Sequence, residues 1–250
     1  MTIAEEHLLI GIHPVTAALK SAPDRVRRLV IAAEARNPRV KELERWARGL
    51  DIPIEQQPRS VLDQHSSGER HQDVMAEFAG GNVWTERDLD SLLAAISGPP
   101  LILALDGVQD PHNLGACLRT AEAAGVHLVI MPKNRSAPLS AVARRAASGA
   151  AEVMDMMTVT NLARVLRKLK DAGIWLAAAT EQAEYELYAT DLSGPLALVM
   201  GSEGQGLRRL TAELCDFPIR IPMYGKVRSL NVSVATAICL YEILRQRSAE

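Results

Sequence analysis

Residues 101–131, LILALDGVQDPHNLGACLRTAEAAGVHLVIM, decide the fold class of this chain. Apolar runs at 101–105 and 126–131 predict two buried strands, and the stretch 114–124 between them predicts a helix. A strand, a helix and a second strand in this order form a βαβ unit with parallel strands. The alternation continues with helices and strands predicted at 139–146, 161–172, 175–179, 196–200 and 232–247. We therefore predict an α/β fold with a mostly parallel sheet that helices cover on both faces.

The first 78 residues carry a second, shorter alternation of apolar strands and amphipathic helices. Strands are predicted at 8–12, 26–32 and 52–54, with helices between them. From position 79 the composition changes, because glycines at 80, 81 and 98 and prolines at 99 and 100 bracket a short helical stretch. The sequence thus predicts a small α/β domain at 1–78, a linker at 79–98 and the parallel-sheet domain at 99–250.

The composition excludes several classes of protein. Hydrophobic residues make up 48% and charged residues 23% of the chain, which is the balance of a globular protein and not of a disordered one. No apolar run reaches the ~18 residues of a membrane span, and the acidic start MTIAEEHLL is the reverse of a signal peptide. The three cysteines have no metal-binding spacing, so we expect no metal, no membrane and a reducing, cytoplasmic location.

The net charge of −2 and the aromatic content of 4% argue against RNA binding through a global basic field or through rows of stacked rings. Local clusters of basic side chains can still contact phosphates. The candidate residues are Arg25, Arg27, Arg28, Arg144, Arg145, Lys226 and Arg228. Each cluster is equally typical of a solvated surface, so both interpretations stay open.

A first polar segment, residues 105–125, follows the strand at 101–105. Asn113 is placed to cap the helix that begins at 114, and Arg119 lies six residues further along. Gly115 leaves the first helical turn bare, which gives a ligand room to approach. Ligands collect at the carboxyl ends of strands in open α/β sheets. The segment therefore predicts either a ligand site or a simple capping turn with a surface arginine.

A second polar segment, LALVMGSEGQGLRRL at 196–210, has glycines at 201, 204 and 206. This GxxGxG spacing differs from the GxGxxG of a Rossmann dehydrogenase, and the Lys-Ser/Thr pair of a phosphate-binding loop is missing. Glu203 inside the loop would repel a polyphosphate. The segment predicts a ligand without phosphates whose contacts come from backbone groups, or a plain strand-to-helix turn.

A third polar segment, residues 217–244, leads into the last helix. Pro222 stops a strand, Gly225 turns the chain, and Ser229, Leu230 and Asn231 precede the helix. Ser229 or Asn231 is expected to cap that helix whatever else it does. Lys226 and Arg228 add positive charge beside the helix start, which favours a phosphate group.

Together the three segments resemble the SpoU/TrmH branch of the SPOUT methyltransferases. DPHNLGACLRTA at 110–121, GSEGQGL at 201–207 and IPMYGKVRSLNVSVA at 221–235 match its three motifs in order. The resemblance covers residues 100–247. It implies transfer of a methyl group from S-adenosylmethionine to a ribose 2′-hydroxyl of RNA, a homodimer, and a trefoil knot near the C-terminus.

The resemblance also implies roles for residues in the three motifs. Gly201, Ile221 and Leu230 would hold the cofactor, largely through backbone groups. Arg119 would be either the base that takes the hydroxyl proton or, since a guanidinium does not readily give up its proton, the group that binds a phosphate and stabilises the developing alkoxide. The further polar positions, placed to orient Arg119 and the nucleotide, are Asn113, Glu203, Ser229 and Asn231.

The N-terminal segments IGIHPVTAAL at 10–19 and HQDVMAEF at 71–78 resemble the L30e-like RNA-binding domain of family members that methylate a guanosine ribose in 23S rRNA. Asp73 stands where that resemblance predicts a glycine, which affects only the local turn. We therefore expect 23S rRNA as the partner. The same chemistry on tRNA and a non-catalytic RNA-binding assembly factor are the alternatives, and a Rossmann dehydrogenase fails on the glycine spacing.

Overall fold

The computed structural model describes residues 8–66, 70–79, 83–204, 206–227 and 229–248. It divides into two compact units. The first unit comprises the described residues up to position 81 together with Ser148–Val153, and the second comprises the rest of the described chain. No helix within the described ranges is long and apolar enough to cross a membrane.

The first unit is a four-stranded mixed sheet covered by helices. Its strands are β1 (Leu8–Ile10), β2 (Val26–Ala32), β3 (Ile54–Gln57) and β4 (Val74–Phe78), in the order β1-β4-β2-β3. Strand β4 runs antiparallel to both of its neighbours, whereas β2 and β3 are parallel. The helices are α1 (Ile12–Ser21), α2 (Pro38–Gly49) and α3 (Arg59–His65), with a short 3-10 helix at Pro23–Arg25. Fully buried Val15, Leu29 and Phe78 lie in its core.

The second unit is an eight-stranded sheet in which every described strand pair is parallel. The strands are β5 (Val83–Trp84), β6 (Leu101–Asp106), β7 (Leu128–Pro132), β8 (Met156–Val159), β9 (Trp175–Ala179), β10 (Tyr185–Glu186), β11 (Leu196–Gly201) and β12 (Phe217–Arg220). Their order is β10-β12-β9-β11-β6-β7-β8-β5. The helices are α4 (Leu89–Ala95), α5 (Pro111–Ala123), α6 (Ala141–Ala147), α8 (Leu162–Asp171), α9 (Arg209–Leu214) and α10 (Val232–Arg247), with a 3-10 helix at Leu187–Ala189. Helix α7 (Ala150–Val153) belongs to the first unit.

The central strands have the composition of strands that are covered on both faces. Every residue of β6 is buried, and every residue of β11 is buried except the last, Gly201, which is half-buried. Such continuous apolar runs occur where helices cover both faces of a parallel sheet. The predicted α/β fold with a parallel sheet is therefore confirmed, and the trefoil knot stays a prediction.

Several element boundaries match the sequence-based prediction and others differ for a physical reason. Strands β2 and β9 and helix α10 have the predicted bounds. Helix α5 begins at Pro111 and not at 114, because Asp110 caps it by accepting a hydrogen bond from His112 N at 3.1 Å. The two-residue strands β5 and β10 are too short to leave a periodic signal.

Candidate active site at the carboxyl ends of the parallel strands

The structure brings together three polar side chains from the three motifs. Asn113 lies in the first turn of α5, Glu203 in the loop after β11, and Asn231 directly before α10. Because β6 and β11 are parallel neighbours, the loops that follow them leave the sheet at the same edge. Positions 90 and 118 residues apart in the sequence thereby come into hydrogen-bonding contact.

The three side chains form a closed hydrogen-bond network. Asn113 Nδ2 donates to Glu203 Oε1 at 2.8 Å. Asn231 Nδ2 donates to Asn113 Oδ1 at 2.9 Å and to Glu203 Oε1 at 2.9 Å. One oxygen of the Glu203 carboxylate thus accepts two amide hydrogen bonds, which hold the carboxylate in one orientation. In the described part of the chain, Glu203 Oε2 has no such donor and can accept a hydrogen bond from a ligand or from a cationic side chain.

Asn231 joins this network to the start of α10. Its Oδ1 accepts hydrogen bonds from Ser233 N at 2.9 Å and from Ser233 Oγ at 2.6 Å, so it caps the helix as predicted. The two ends of one amide therefore serve two purposes: the oxygen caps the start of α10 and the nitrogen binds Glu203. Ser229, the other predicted cap, is exposed and makes no such bond within the described residues.

The loop after β11 closes on itself through backbone contacts. Ser202 N donates to Gly206 O at 3.0 Å, and Gly206 N donates to Ser202 O at 2.9 Å. Gly204 and Gly206 have φ of +78° and +66°, which glycine adopts without strain. A side chain at Gly201 would lie 2.3 Å from the Gly206 carbonyl carbon. The loop itself therefore requires these glycines, and Gly201 in particular makes room for Gly206.

Gly115 also has a different purpose from the one expected. A Cβ at this position would lie 2.3 Å from Ala143 O and 2.5 Å from Ala146 Cβ, both on α6. The expectation that Gly115 leaves room for a ligand is therefore wrong, because α6 packs directly onto this turn of α5. The residue is a helix-packing glycine.

Asp106, which the sequence analysis did not single out, lies beside this loop and contacts its far end. It is 1% exposed at the end of β6, and its Oδ2 accepts a hydrogen bond from Arg208 N at 3.1 Å. Its Oδ1 lies 3.3 Å from Arg208 Nε but finds no partner with hydrogen-bond geometry among the residues that the structure describes. Asp106 thus ties the far end of the 201–208 loop to β6. A carboxylate directly after five apolar residues was the available signal.

Two family models match the chain. The model described as "SpoU rRNA Methylase family" matches residues 100–241, and the one described as "RNA 2'-O ribose methyltransferase substrate binding" matches residues 8–84. The chain belongs to the SpoU family. The resemblance predicted from three motifs is thereby confirmed.

Relatives and a solved structure agree with this assignment. The 23S rRNA (guanosine-2'-O-)-methyltransferase RlmB of Pseudomonas aeruginosa is 54% identical over 238 residues, which cover 95% of this chain and 96% of the relative. RlmB of Escherichia coli is 48% identical over 241 residues, covering 96% and 99%. The AdoMet-bound rRNA methyltransferase from Sinorhizobium meliloti superposes with a TM-score of 0.72 at 26% identity, covering 96% of this chain and 87% of that one.

Three further predicted residues of this SpoU-family chain take no part in the hydrogen bonds of the network. Arg119 is exposed on α5 and has no hydrogen bond or ion pair within the described ranges. Six helical residues separate it from Asn113, which corresponds to a rise of ~9 Å and a different face of the helix. Ile221, directly after β12, and Leu230, directly before Asn231, are half-buried. Gln205 and Arg228 lie outside the described residues.

The surroundings of the three thiols of the second unit favour their protonated form. Burial raises the pKa of Cys117 to about 11 and the pKa values of Cys215 and Cys239 to about 12. Cys117 is 3.6 Å from Thr236 Oγ1, inside the contact between α5 and α10. Among the residues that the structure describes, no group of His, Cys, Asp and Glu could hold a metal ion.

Arg28, one of the predicted RNA-contacting residues, instead forms ion pairs within the first unit. Arg28 Nε donates to Glu77 at 2.8 Å and Arg28 Nη1 donates to Glu55 at 2.5 Å, and the Arg28 side chain is only 13% exposed. The expectation that Arg28 contacts RNA is therefore wrong, since two carboxylates already neutralise it. Arg27 and Lys226 are exposed.

Proposed function

We propose that this chain transfers the methyl group of S-adenosylmethionine to the ribose 2′-hydroxyl of a guanosine in 23S rRNA. The Asn113–Glu203–Asn231 network carries the proposal, because it joins all three motifs of a SpoU-family chain at one edge of the sheet. Relatives that act on 23S rRNA match almost the whole length of the chain, including the first unit.

The polar and apolar groups around the network fit this cofactor. The described residues of the 201–207 loop carry one carboxylate, Glu203, and no basic side chain. Such a loop suits a cationic ligand without phosphates and would repel a nucleotide triphosphate. Gly201 and the half-buried Ile221 and Leu230 would hold the adenosine and the methionine chain through backbone groups and apolar contact. The cofactor supplies an activated methyl group with its own leaving group.

The side chains of this protein then have to align the ribose hydroxyl and assist the loss of its proton. We assign to Arg119 the stabilisation of the developing alkoxide and a contact to the nucleotide phosphate, because a guanidinium is a fixed cation and a poor base. We assign to Glu203, held by the two asparagines, the binding of a ligand through its free oxygen. We assign Ser229, which is exposed two residues before Asn231, to the same site.

The decisive experiment measures methyl transfer and cofactor binding separately. Purified protein is incubated with unmodified 23S rRNA and radiolabelled S-adenosylmethionine, and the ribose methylation is mapped. One guanosine should become methylated, and calorimetry should detect binding of S-adenosylmethionine and not of NAD. Cofactor binding without any methylated ribose in 23S rRNA would overturn the proposal.

The role of Arg119 is tested by substitution. Arg119→Ala and Arg119→Lys should each lower turnover at least ~100-fold and leave the Kd for S-adenosylmethionine within twofold. Arg167→Ala is the matched control, because Arg167 is another exposed helical arginine, on α8. Full activity in either Arg119 variant removes Arg119 from the mechanism.

We also propose a homodimer that forms through the second unit. Val234 and Tyr241 of α10 are 47% and 54% exposed and lie seven residues apart, on one face of the helix. An exposed apolar stripe of this kind is typical of a protein–protein contact. Tyr241→Asp should therefore turn a dimer into a monomer in light scattering. A wild-type monomer at micromolar concentration would contradict this.

The remaining assignments concern RNA and location. We propose that the first unit, together with Lys226, Arg144 and Arg145, binds the 23S rRNA, and that the protein works in the cytoplasm. A substrate-binding family model covers residues 8–84, and the three cysteines are free thiols, as expected in a reducing compartment. RNA affinity should fall steeply with salt concentration, because phosphate contacts release bound counterions.

A further inference from the structure

The first unit contains a polar cleft that the reaction site does not use. Its volume is about 320 Å³, which lies in the range of small-ligand sites. All of its lining residues belong to the first unit: Asn37, Arg59, Asp63, Arg70, His71, Gln72 and Asp73. The cleft thus combines two arginines with several hydrogen-bond acceptors.

A buried histidine organises one wall of the cleft. His71 is 3% exposed, and its Nδ1 accepts a hydrogen bond from Asp73 N at 3.0 Å. The proton of the neutral ring is therefore on Nε2, which donates to Asp63 Oδ1 at 2.9 Å. Gln72 Oε1 in turn accepts from Ile12 N, at the start of α1, at 3.2 Å. These contacts hold the backbone of residues 71–73 in one conformation.

Asp73 is held in a strained conformation with an incompletely satisfied carboxylate. Gln72 and Asp73 have φ of +51° and +65°, a region that residues other than glycine seldom occupy. Asp73 Oδ1 is buried and has no hydrogen-bond partner within the described residues. Its nearest cation, Arg59 Nη1, is 3.7 Å away, too far for a hydrogen bond. Asp73 thus lines the cleft with a carboxylate whose hydrogen-bonding capacity is unmet, and because Oδ1 is covered, a rotation of this 22% exposed side chain is needed to bring both oxygens to a ligand.

We propose that this cleft binds an unpaired guanosine of the RNA substrate, with Asp73 accepting from the N1–H and the exocyclic amino group of the base. This inference rests on the proposed function for the identity of the RNA. Single-stranded bases are read by hydrogen bonds to their Watson–Crick edge. Among the four RNA bases only guanine carries two adjacent donors there. Adenine, cytosine and uracil place an acceptor beside their donor, which the carboxylate would repel.

The arginines of the cleft complete the site. Arg59 has a side chain that is 64% exposed, and Arg70 is also exposed. Both can contact the phosphates on either side of a base that enters the cleft. The carboxylate would then select the base, and the arginines would hold the backbone without regard to sequence.

The test uses the full chain and three uridine heptamers with guanosine, inosine or adenosine at the centre. Inosine lacks only the exocyclic amino group of guanosine. Binding is followed by fluorescence anisotropy. The wild type should prefer guanosine over inosine and adenosine at least tenfold. Asp73→Gly should lower this preference at least fivefold and should fold at least as well, because glycine adopts a φ of +65° without strain.

Asp51→Gly is the matched control. Asp51 is an exposed aspartate with a φ of +56°, in the same unit but outside the cleft, so its replacement should leave the preference unchanged. Arg59→Gln should weaken all three heptamers alike and reduce the salt slope of binding by about 1. A folded Asp73→Gly protein with the wild-type preference, or a wild type that binds guanosine and inosine equally, overturns the inference.

Methylation of 23S rRNA is measured in parallel to separate the two proposals. Base selectivity without methylation leaves the cleft assignment standing and removes the proposed function. Methylation without base selectivity supports the proposed function and removes the cleft assignment.

Discussion

Asn113 and Asn231 use the same type of side chain in two different ways. Asn231 caps α10 with its oxygen and holds Glu203 with its nitrogen. Asn113 caps nothing, because Asp110 already caps α5, and both ends of its amide belong to the network. Sequence pattern alone favours a cap at both positions. The difference arises because Asp110 accepts the hydrogen bond from a free N–H group at the start of α5, whereas Asn231 itself accepts the corresponding bond at the start of α10.

At the residue scale, Asn113→Ala should separate catalysis from stability. The change removes a donor to the Glu203 carboxylate, so we expect turnover to fall at least ~10-fold and the free energy of unfolding to fall by about 1–2 kcal/mol. Asn161→Ala is the control, since Asn161 caps α8 by accepting from Arg164 N at 3.0 Å and should cost a similar stability with no loss of rate. Equal effects of both variants on rate and stability would make Asn113 a purely structural residue.

At the scale of elements, the contact between α5 and α6 positions the network. Asn113 is carried by the turn of α5 that also contains Gly115, and α6 approaches that turn closely enough to exclude a side chain. The placement of a polar side chain of the site thus depends on a helix-packing contact two residues away. Helix α10 contributes the other asparagine and packs against α5 around Cys117 and Thr236.

Gly115→Ala should therefore destabilise the protein. Its Cβ would lie 2.3 Å from Ala143 O, so α6 must shift, and we expect a cost of about 1–3 kcal/mol in thermal unfolding. Gly49→Ala, at the end of α2 with nothing within 4 Å, should be neutral or stabilise by up to about 1 kcal/mol. A neutral Gly115→Ala variant would show that α6 does not pack as the structure describes.

The last turns of α10 contain a buried carboxylate that makes stability depend on pH. Hydrogen bonds from Arg245 and Gln246 lower the pKa of Glu242, which is 6% exposed. A lowered pKa contributes stability above the pKa of the unfolded chain, and this contribution is lost as the pH falls through the folded value. Glu242→Gln should thus reduce the Tm at pH 7 and make it less sensitive to acid below pH ~4.5.

Glu213→Gln is the control for this acid dependence. Glu213 pairs with Arg209 on the surface of α9, with a side chain that is 55% exposed, so its removal should change stability by no more than about 0.5 kcal/mol. If Glu242→Gln keeps the full acid sensitivity of the wild type, Glu242 does not carry the effect.

At the scale of the whole molecule, we expect the buried thiols of Cys117 and Cys239 and the half-buried thiol of Cys215 to limit stability in alkali. Their folded pKa values of about 11 to 12 exceed the value of ~8.5 expected in the unfolded chain. Between these values the unfolded chain loses protons that the folded chain keeps, so the free energy of unfolding falls as the pH rises above ~8.5. Calorimetry should show a falling Tm between pH 8 and 10.

The triple variant Cys117→Ala, Cys215→Ala and Cys239→Ala isolates the thiol contribution. It should lose less Tm over this pH interval than the wild type, by at least ~3 °C. Its lower Tm at neutral pH, caused by lost packing, does not affect this comparison. The same decrease in both proteins would assign the alkaline transition to other groups.

The predictable and unpredictable parts of the site differ in their physical origin. The bounds of β9 and α10 and the membership of Asn113, Glu203 and Asn231 in a site follow from local periodicity and motif order. The packing of Gly115 against α6 and the tie between Asp106 and Arg208 could not be predicted, because each joins positions that no local pattern relates. For the strained turn at Asp73, the only signal in the sequence was an aspartate at a position where the family resemblance predicts a glycine.

The amino-acid sequence by itself determined the alternation of strands and helices, the parallel sheet and the family, because these depend on periodicity and on short motifs in order. Only the tertiary structure decided which side chains meet. Positions 28, 90 and 118 residues apart form one network because the loops that follow parallel strands lie at a common edge of the sheet. The cleft with an unsatisfied carboxylate likewise forms only when residues 37–73 are folded. Contacts of this kind depend on the packing of whole elements, which local sequence does not encode.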